Sequence, residues 1–174
     1  MIPILRNNLA HEDLTNQLLN FIENNIHVLG KRAIPLVVDV VNLCSTQLPY
    51  NRLLDVINIV NISVENYKLD SIQILEASYP NLLQKALEVP LPKTSVTDDE
   101  KDLIKLHDKM IQLMVNCVEN LGCAFIFNQT LSNLIDPGTD WILSLLVQTQ
   151  SKETQRTILK VAKYELMVLK GVSV

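Results

Sequence analysis

Four basic side chains near the carboxyl end are the residues whose types and spacing best suit recognition of a ligand. They are Lys152, Arg156, Lys160 and Lys163, which recur at steps of four, four and three residues. Helical residues at these steps share a face, so the sequence predicts a cationic stripe along the last helix. Such a row can neutralise nucleic-acid phosphates. The alternative is a solvated outer face on which Glu153 and Glu165 dilute the positive charge.

The other residue types that carry chemistry form no constellation in the sequence. His11, His27 and His107 are far apart, and none has a second metal ligand at helical spacing. The acidic run 98–100 and Asp102 are explained by a solvated helix start. The sequence has no glycine-rich phosphate loop and no nucleophile elbow. We therefore expect no enzyme, no metal or cofactor, and no small-molecule substrate.

The cysteines and the composition indicate a helical intracellular protein. Apolar residues make up 48% of the 174 residues, aromatic residues only 5%, and the formal net charge is −4. This composition favours helices packed on helices and predicts no sheet. No apolar run approaches the ~18 residues of a membrane span, so we expect a soluble chain. The cysteines lack CxxC spacing, and we expect buried reduced thiols at Cys44, Cys117 and Cys123.

A long helix from Thr97 to Gly122 is the element around which the predicted helices are arranged. The run 97–100 reads Thr-Asp-Asp-Glu, which has the spacing of a capping box. Gly122 predicts the end of the helix. Apolar residues recur between these signals at steps of three and four, which predicts one broad buried face: Leu103, Leu106, Met110, Leu113, Met114, Cys117, Val118 and Leu121.

Shorter signals divide the rest of the chain into helices. A short helix is predicted over 2–9, and a second helix follows it and ends at Gly30. The predicted buried stripe of this second helix consists of Leu14, Leu18, Phe21, Ile22, Ile26 and Leu29. Pro35 suits the first turn of the third helix and Pro49 an early position in the fourth. Asp70 is the predicted cap of the fifth helix, and Pro80 predicts a kink or break near Ser78 and Tyr79.

Further signals follow the central helix. We expect a loop or one helical turn over 123–128 and a short helix over 130–135. The pair Asp136-Pro137 predicts the start of the next helix. Trp141 in that helix is either a core residue or an interface anchor. Ser151 is the predicted cap of the last helix.

The predicted helices form four successive pairs of about 40 residues, the period of HEAT and armadillo repeats. The predicted hairpins cover approximately 1–30, 31–68, 69–122 and 123–174 of one helical-repeat unit, 1–174. The predicted fold is an all-α, HEAT- or armadillo-like α-solenoid. An ordinary helical bundle would show a similar pattern.

The central residues resemble a known family. The segments 53–58 (Leu-Leu-Asp-Val-Ile-Asn), 76–87, 88–92 (Glu-Val-Pro-Leu-Pro) and 98–101 (Asp-Asp-Glu-Lys) are similar to the carboxy-terminal HEAT repeats of exportin-T, a karyopherin. The likeness extends to 120–122, to the surroundings of Leu131 and to 141–143, over roughly residues 1 to 170. Exportins are several times longer, so the resemblance implies that the chain is a fragment.

The resemblance implies a nuclear export receptor that wraps tRNA together with Ran in its GTP-bound form and shuttles between nucleus and cytoplasm. No family contact residue is carried over to a numbered position. The cationic stripe is predicted from its charge pattern alone, and the acidic remainder suits basic protein surfaces. The alternative function is a HEAT-repeat scaffold that binds only proteins and no nucleic acid.

Overall fold

All regular secondary structure in the described part of the chain is helical. The computed structural model describes residues 2–89, 98–148 and 159. The predicted all-α class is confirmed for these residues, and the segment 37–41 is helical although four of its five residues are valines, which favour strands. The helices are α1 (Ile2–Asn8), α2 (Glu12–Leu29), α3 (Ile34–Gln47), α4 (Leu54–Tyr67), α5 (Ile72–Glu88), α6 (Asp98–Leu121), α7 (Cys123–Ile126) and α8 (Ile135–Gln148).

The largest contacts join every second helix. Helix α3 packs against α5, while α2 packs against α4 and α4 packs against α6. Helices that are adjacent in sequence make smaller contacts, as between α3 and α4 or between α4 and α5. The first six helices therefore form two rows, with α1, α3 and α5 in one and α2, α4 and α6 in the other.

Three helices of the second row end in the same backbone conformation. Gly30 follows α2 with φ 57° and ψ −150°, Lys68 follows α4 with φ 51° and ψ −128°, and Gly122 follows α6 with φ 49° and ψ −122°. Each residue donates its amide to the carbonyl four residues earlier, on Ile26, Val64 and Val118. The predicted ends at Gly30 and Gly122 are confirmed. The Lys68 turn carried no glycine signal, and α4 ends at Tyr67 rather than before Asn66.

The predicted apolar face of α6 is the centre of the core. All of its predicted residues are buried except Leu103, which is half-buried. The buried surface is wider than predicted, because His107, Ile111, Val115 and Asn116 are also inside. Since α6 packs on α4 and also contacts α5, it is covered on more than one side.

Helix α2 is rotated relative to the prediction. Ile22 and Ile26 are buried as expected, and so are Thr15 and Leu19, which were not predicted. Phe21 and Leu29 are 53% and 47% exposed, so their predicted burial is wrong. The apolar surface of α2 is therefore broader than the part that its own neighbours cover.

The structure differs from the predicted helix signals at two points in the α4 to α5 region. Asp70 does not cap α5, because a 3₁₀ turn (Lys68–Ser71) leads into the helix and Ser71 is its amino-terminal flanking residue. The Asp70 carboxylate instead forms an ion pair with Lys31. Pro80 does not break α5, which is continuous from Ile72 to Glu88.

Other turn predictions are only partly right. Pro35 does lie in the first turn of α3. Pro49 is extended and precedes a 3₁₀ turn (Tyr50–Arg52), so it lies outside α4. The expected turn over 123–128 is α7, and a 3₁₀ turn (Ser132–Leu134) replaces the expected short helix. That turn continues into α8 at Ile135, which places Asp136 inside the helix rather than at its cap.

Several predictions lie outside the described residues. They concern the capping residue Thr97, the loop over 90–96, the Ser151 cap and the last helix. No helix in the described ranges is long and apolar enough to cross a membrane.

Candidate functional site

The predicted nucleic-acid contact residues all lie outside the described residues: Lys152, Arg156, Lys160 and Lys163. The described part of the chain presents two other groupings of side chains, which were not predicted. One is a row of polar side chains across α2, α4 and α6. The other is a buried cluster of three aromatic rings.

The row of helices α2, α4 and α6 carries most of the acidic residues. Within their bounds the sequence has eleven Asp and Glu residues and three lysines, whereas α1, α3 and α5 have three acidic and two basic residues. We use the term acidic face for Glu23, Asp55 and Glu65, with Lys109 beside them. Opposite charge on a partner would be attracted to this side of the molecule.

Glu23 and Asp55 bring two carboxylates together across the α2–α4 contact. Partial burial raises the pKa of Glu23, the charge of Asp55 raises it further, and Lys109 on α6 lowers it. Partial burial also raises the pKa of Asp55. Both groups hold their charge less readily than a solvated carboxylate, so a cation placed beside them would relieve unfavourable electrostatics.

A hydrogen-bonded network at the other end of the acidic face fixes α4 against α6. The Asn116 side-chain amide donates to Asn61 Oδ1 at 3.0 Å and to Glu65 Oε1 at 2.9 Å. Gln112 Nε2 in turn donates to Asn116 Oδ1 at 3.0 Å. Asn61 and Asn116 are buried, so they specify how the two helices align. A similar exposed contact, between His27 Nδ1 and Asn66 Oδ1 at 3.2 Å, joins α2 to α4.

The second grouping lies where the 3₁₀ turn before α4 meets α6 and α8. The His107 ring is 5.5 Å from the Tyr50 ring in an edge-to-face arrangement, and 5.4 Å from the Trp141 ring. All three residues are buried. Trp141 is thus a core residue, which is the first of the two roles predicted for it.

His107 is held neutral in this cluster. Burial lowers its pKa to about 4 and raises the pKa of Tyr50. Neither the His107 ring nitrogens nor the Tyr50 hydroxyl have a hydrogen-bond partner among the described residues. A histidine without an orienting partner is poorly suited to general-base catalysis. The sequence contains a signal for the burial of His107, because this residue lies three positions before Met110 and seven before Met114, on the apolar side of α6.

The remaining candidates stay dispersed. His11 and His27 are exposed and far in sequence from His107, and the described residues hold no group of three histidine, cysteine or acidic side chains that could bind a metal ion. Asp102 pairs with Lys105 at 2.9 Å on the surface. Cys44 and Cys117 are buried free thiols as predicted, and burial raises the pKa of Cys44 to about 11. Cys123 is exposed, so its predicted burial is wrong.

No protein-family model, no curated protein and no solved structure matches this chain significantly.

Proposed function

We propose that this chain is a segment of a HEAT- or armadillo-like α-solenoid that binds other macromolecules along its helical surface and is not an enzyme. The observation that carries the proposal is the alternate-helix packing of α2 on α4, α4 on α6, and α3 on α5. Stacked helical pairs pack in this way, since each pair buries its apolar side against the next. The recurrent turns at Gly30, Lys68 and Gly122 support a repeated unit.

The partner that the described surface favours is a basic protein segment. The acidic face offers Glu23 and Asp55, whose charges are unfavourably close, and Glu65, which the Asn116 amide holds in place. Lysine or arginine side chains of a partner would lower the cost of ionising these groups. In this form the protein is a HEAT-repeat scaffold that binds proteins without nucleic acid.

Binding of labelled peptides tests this form of the proposal. The triple variant Glu23→Gln, Asp55→Asn, Glu65→Gln removes three charges, and glutamine at 65 can still accept from Asn116. We expect the intact chain to bind a Lys/Arg-rich peptide in preference to an Asp/Glu-rich peptide of equal length. The triple variant should weaken that binding by about tenfold or more.

The matched control changes the same number of carboxylates in the other row of helices. It is Asp39→Asn, Glu76→Gln, Glu88→Gln, which alters net charge equally and should leave most of the affinity. Equal loss in both variants would show that net charge alone attracts the peptide, and the acidic face would then not be the site. Added salt should weaken specific binding in the intact chain.

A second candidate is a nuclear export receptor for tRNA that binds its cargo together with Ran in its GTP-bound form and shuttles between nucleus and cytoplasm. The resemblance of 53–58, 76–92 and 98–101 to exportin-T favours it, together with the cationic stripe predicted at Lys152, Arg156, Lys160 and Lys163. Phosphate contacts by such a stripe would make affinity fall steeply with salt.

Fluorescence anisotropy of labelled tRNA separates the two candidates. Under the receptor hypothesis, Ran loaded with GTP strengthens tRNA binding, and changing the four stripe residues to glutamate abolishes it. The control is the triple variant of the acidic face, in which the four residues of the cationic stripe are unchanged. Absence of tRNA binding with and without Ran would reject the receptor hypothesis for this segment and leave the protein-binding scaffold.

A further inference from the structure

Helix α2 carries a second apolar surface that its neighbours among the described residues leave open. Its buried side consists of Thr15, Leu19, Ile22 and Ile26. On an adjacent side, Phe21 is 53% exposed and Val28 is 81% exposed, and Leu14 and Leu18 are half-buried. We define the α2 seam as Leu14, Leu18, Phe21, Asn25 and Val28.

The spacing within the α2 seam is that of a coiled coil. Successive members are separated by four, three, four and three residues, which is the alternation of d and a positions in a heptad. Leu14, Phe21 and Val28 occupy d positions, and Leu18 and Asn25 occupy a positions. The seam spans about 21 Å of helix at 1.5 Å per residue.

Asn25 is a polar residue within the otherwise apolar α2 seam, and it can specify how two helices pair. A single asparagine at an a position of a parallel pair faces its counterpart, and the two amides can form a hydrogen bond. Here the Asn25 amide nitrogen donates to the Phe21 carbonyl at 2.7 Å, which leaves its side-chain oxygen available as an acceptor. In an antiparallel pair, a positions pack against d positions, so Asn25 would face Leu14, Phe21 or Val28 and lose that partner.

The edges of the α2 seam carry no charge. The g positions are Gln17 and Asn24, and Leu29 is the exposed e position, because the other two e residues, Thr15 and Ile22, belong to the buried side of α2. Two copies can therefore approach through this surface without the like-charge repulsion that opposes self-pairing. A partner helix with charged e or g residues would have no residue of opposite charge to pair with at these positions.

We propose that the α2 seam is a homotypic interface, in which α2 of one copy pairs in parallel with α2 of a second copy. Because α2 is already folded against α4, pairing carries no cost of helix formation. The interface is limited to one helix per copy, so dimerisation should be reversible and in the micromolar range. It does not depend on which macromolecule the acidic face binds.

Sedimentation velocity over a concentration series tests the interface with the full chain. We expect the monomer to convert to a dimer as concentration rises. The variant Phe21→Glu, Val28→Glu should remain monomeric, because it places like charges across the seam. The control Leu69→Glu, Phe127→Glu changes two residues that are 62% and 72% exposed elsewhere, and it should dimerise like the parent. Circular dichroism checks that both variants keep their helix content.

Cysteine cross-linking tests the parallel register. In a Cys123→Ser background, Asn25→Cys should form a covalent dimer under mild oxidation, and Asn20→Cys, on an exposed side of α2 away from the seam, should not. A chain that stays monomeric at every concentration overturns the proposal. So does a dimer that survives Phe21→Glu, Val28→Glu, or one in which Asn25→Cys forms no more disulfide than Asn20→Cys.

Discussion

At the scale of single residues, burial has its clearest pH-dependent consequence at His107. It lies between Tyr50 and Trp141, and its pKa is lowered to about 4. The unfolded chain has an ordinary histidine pKa of about 6.5, so it binds a proton over a pH range where the folded chain does not. The contribution of His107 to stability is therefore complete above the unfolded pKa and is lost as the pH falls toward about 4.

We predict that His107→Phe removes this part of the acid sensitivity. A pKa that differs by one between the folded and unfolded chains corresponds to about 1.4 kcal/mol, so the stability difference between parent and variant should change by about 3 kcal/mol between neutral and acidic pH. Urea unfolding at a series of pH values measures it. The comparison cancels the opposite effect of Glu23 and Asp55, whose raised pKa values favour the folded state in acid. His11→Gln, at an exposed position, should behave like the parent.

At Lys68 the backbone conformation, rather than a side-chain contact, lowers the stability of the folded chain. It is the one residue other than glycine with positive φ in the described ranges, and a Cβ atom is unfavourable there. We predict that Lys68→Gly stabilises the protein by about 1 kcal/mol, despite the loss of the amine contact with Asn120. Lys68→Ala keeps the strain and also loses that contact, so its melting temperature should not rise. A Lys68→Gly protein that melts below the parent would contradict the prediction.

At the scale of helices, sequence signals were reliable where local chemistry determines the structure. Gly30 and Gly122 end their helices, and the apolar spacing of α6 identifies its buried side. The failures have tertiary causes. The apolar surface of α2 is wide, and spacing alone does not tell which part α4 covers. Pro80 predicts a kink or break, yet α5 is continuous through it, and Tyr79 and Leu82 on either side are fully buried.

The polar contacts between helices could not have been predicted. Asn61, Glu65 and Asn116 are each common surface residues, and only the alignment of α4 with α6 brings their side chains together. Likewise Lys85 donates to the carbonyls of Thr46 and Leu48 at the end of α3, where a cation complements the helix dipole. Such pairings depend on long-range register, which no periodicity in one helix contains.

We predict that the Asn116 network is a main determinant of the α4–α6 contact. Asn116→Ala removes three hydrogen bonds and leaves Asn61 without its side-chain donor, which should cost about 2–3 kcal/mol. Gln112→Ala, at an exposed position, should cost about 0.5 kcal/mol or less. Chemical denaturation gives both values. In a double-mutant cycle with Asn61→Ala, additive effects would show that the two asparagines do not act together.

At the scale of the whole molecule, alternate-helix packing has a consequence for how stability is distributed. In a stack of helical pairs, each pair contacts only its neighbours, so an end pair can open while the rest stays folded. A bundle around one shared core would instead unfold as a unit. Equivalent substitutions in α2 and in α4 can distinguish a stack of helical pairs from a bundle with one shared core.

Ile26 on α2 and Ile59 on α4 are both fully buried, and replacing either with alanine should cost about 2–5 kcal/mol. We predict that Ile26→Ala speeds amide hydrogen exchange in α1 and α2 only, because the pairs beyond α4 retain their contacts. Ile59→Ala should speed exchange in α2 through α6, since α4 packs against helices on both sides. Mass spectrometry of peptides from each helix measures the pattern. If Ile26→Ala accelerates exchange equally in α6, the chain behaves as one cooperative bundle and the stacked-repeat proposal fails.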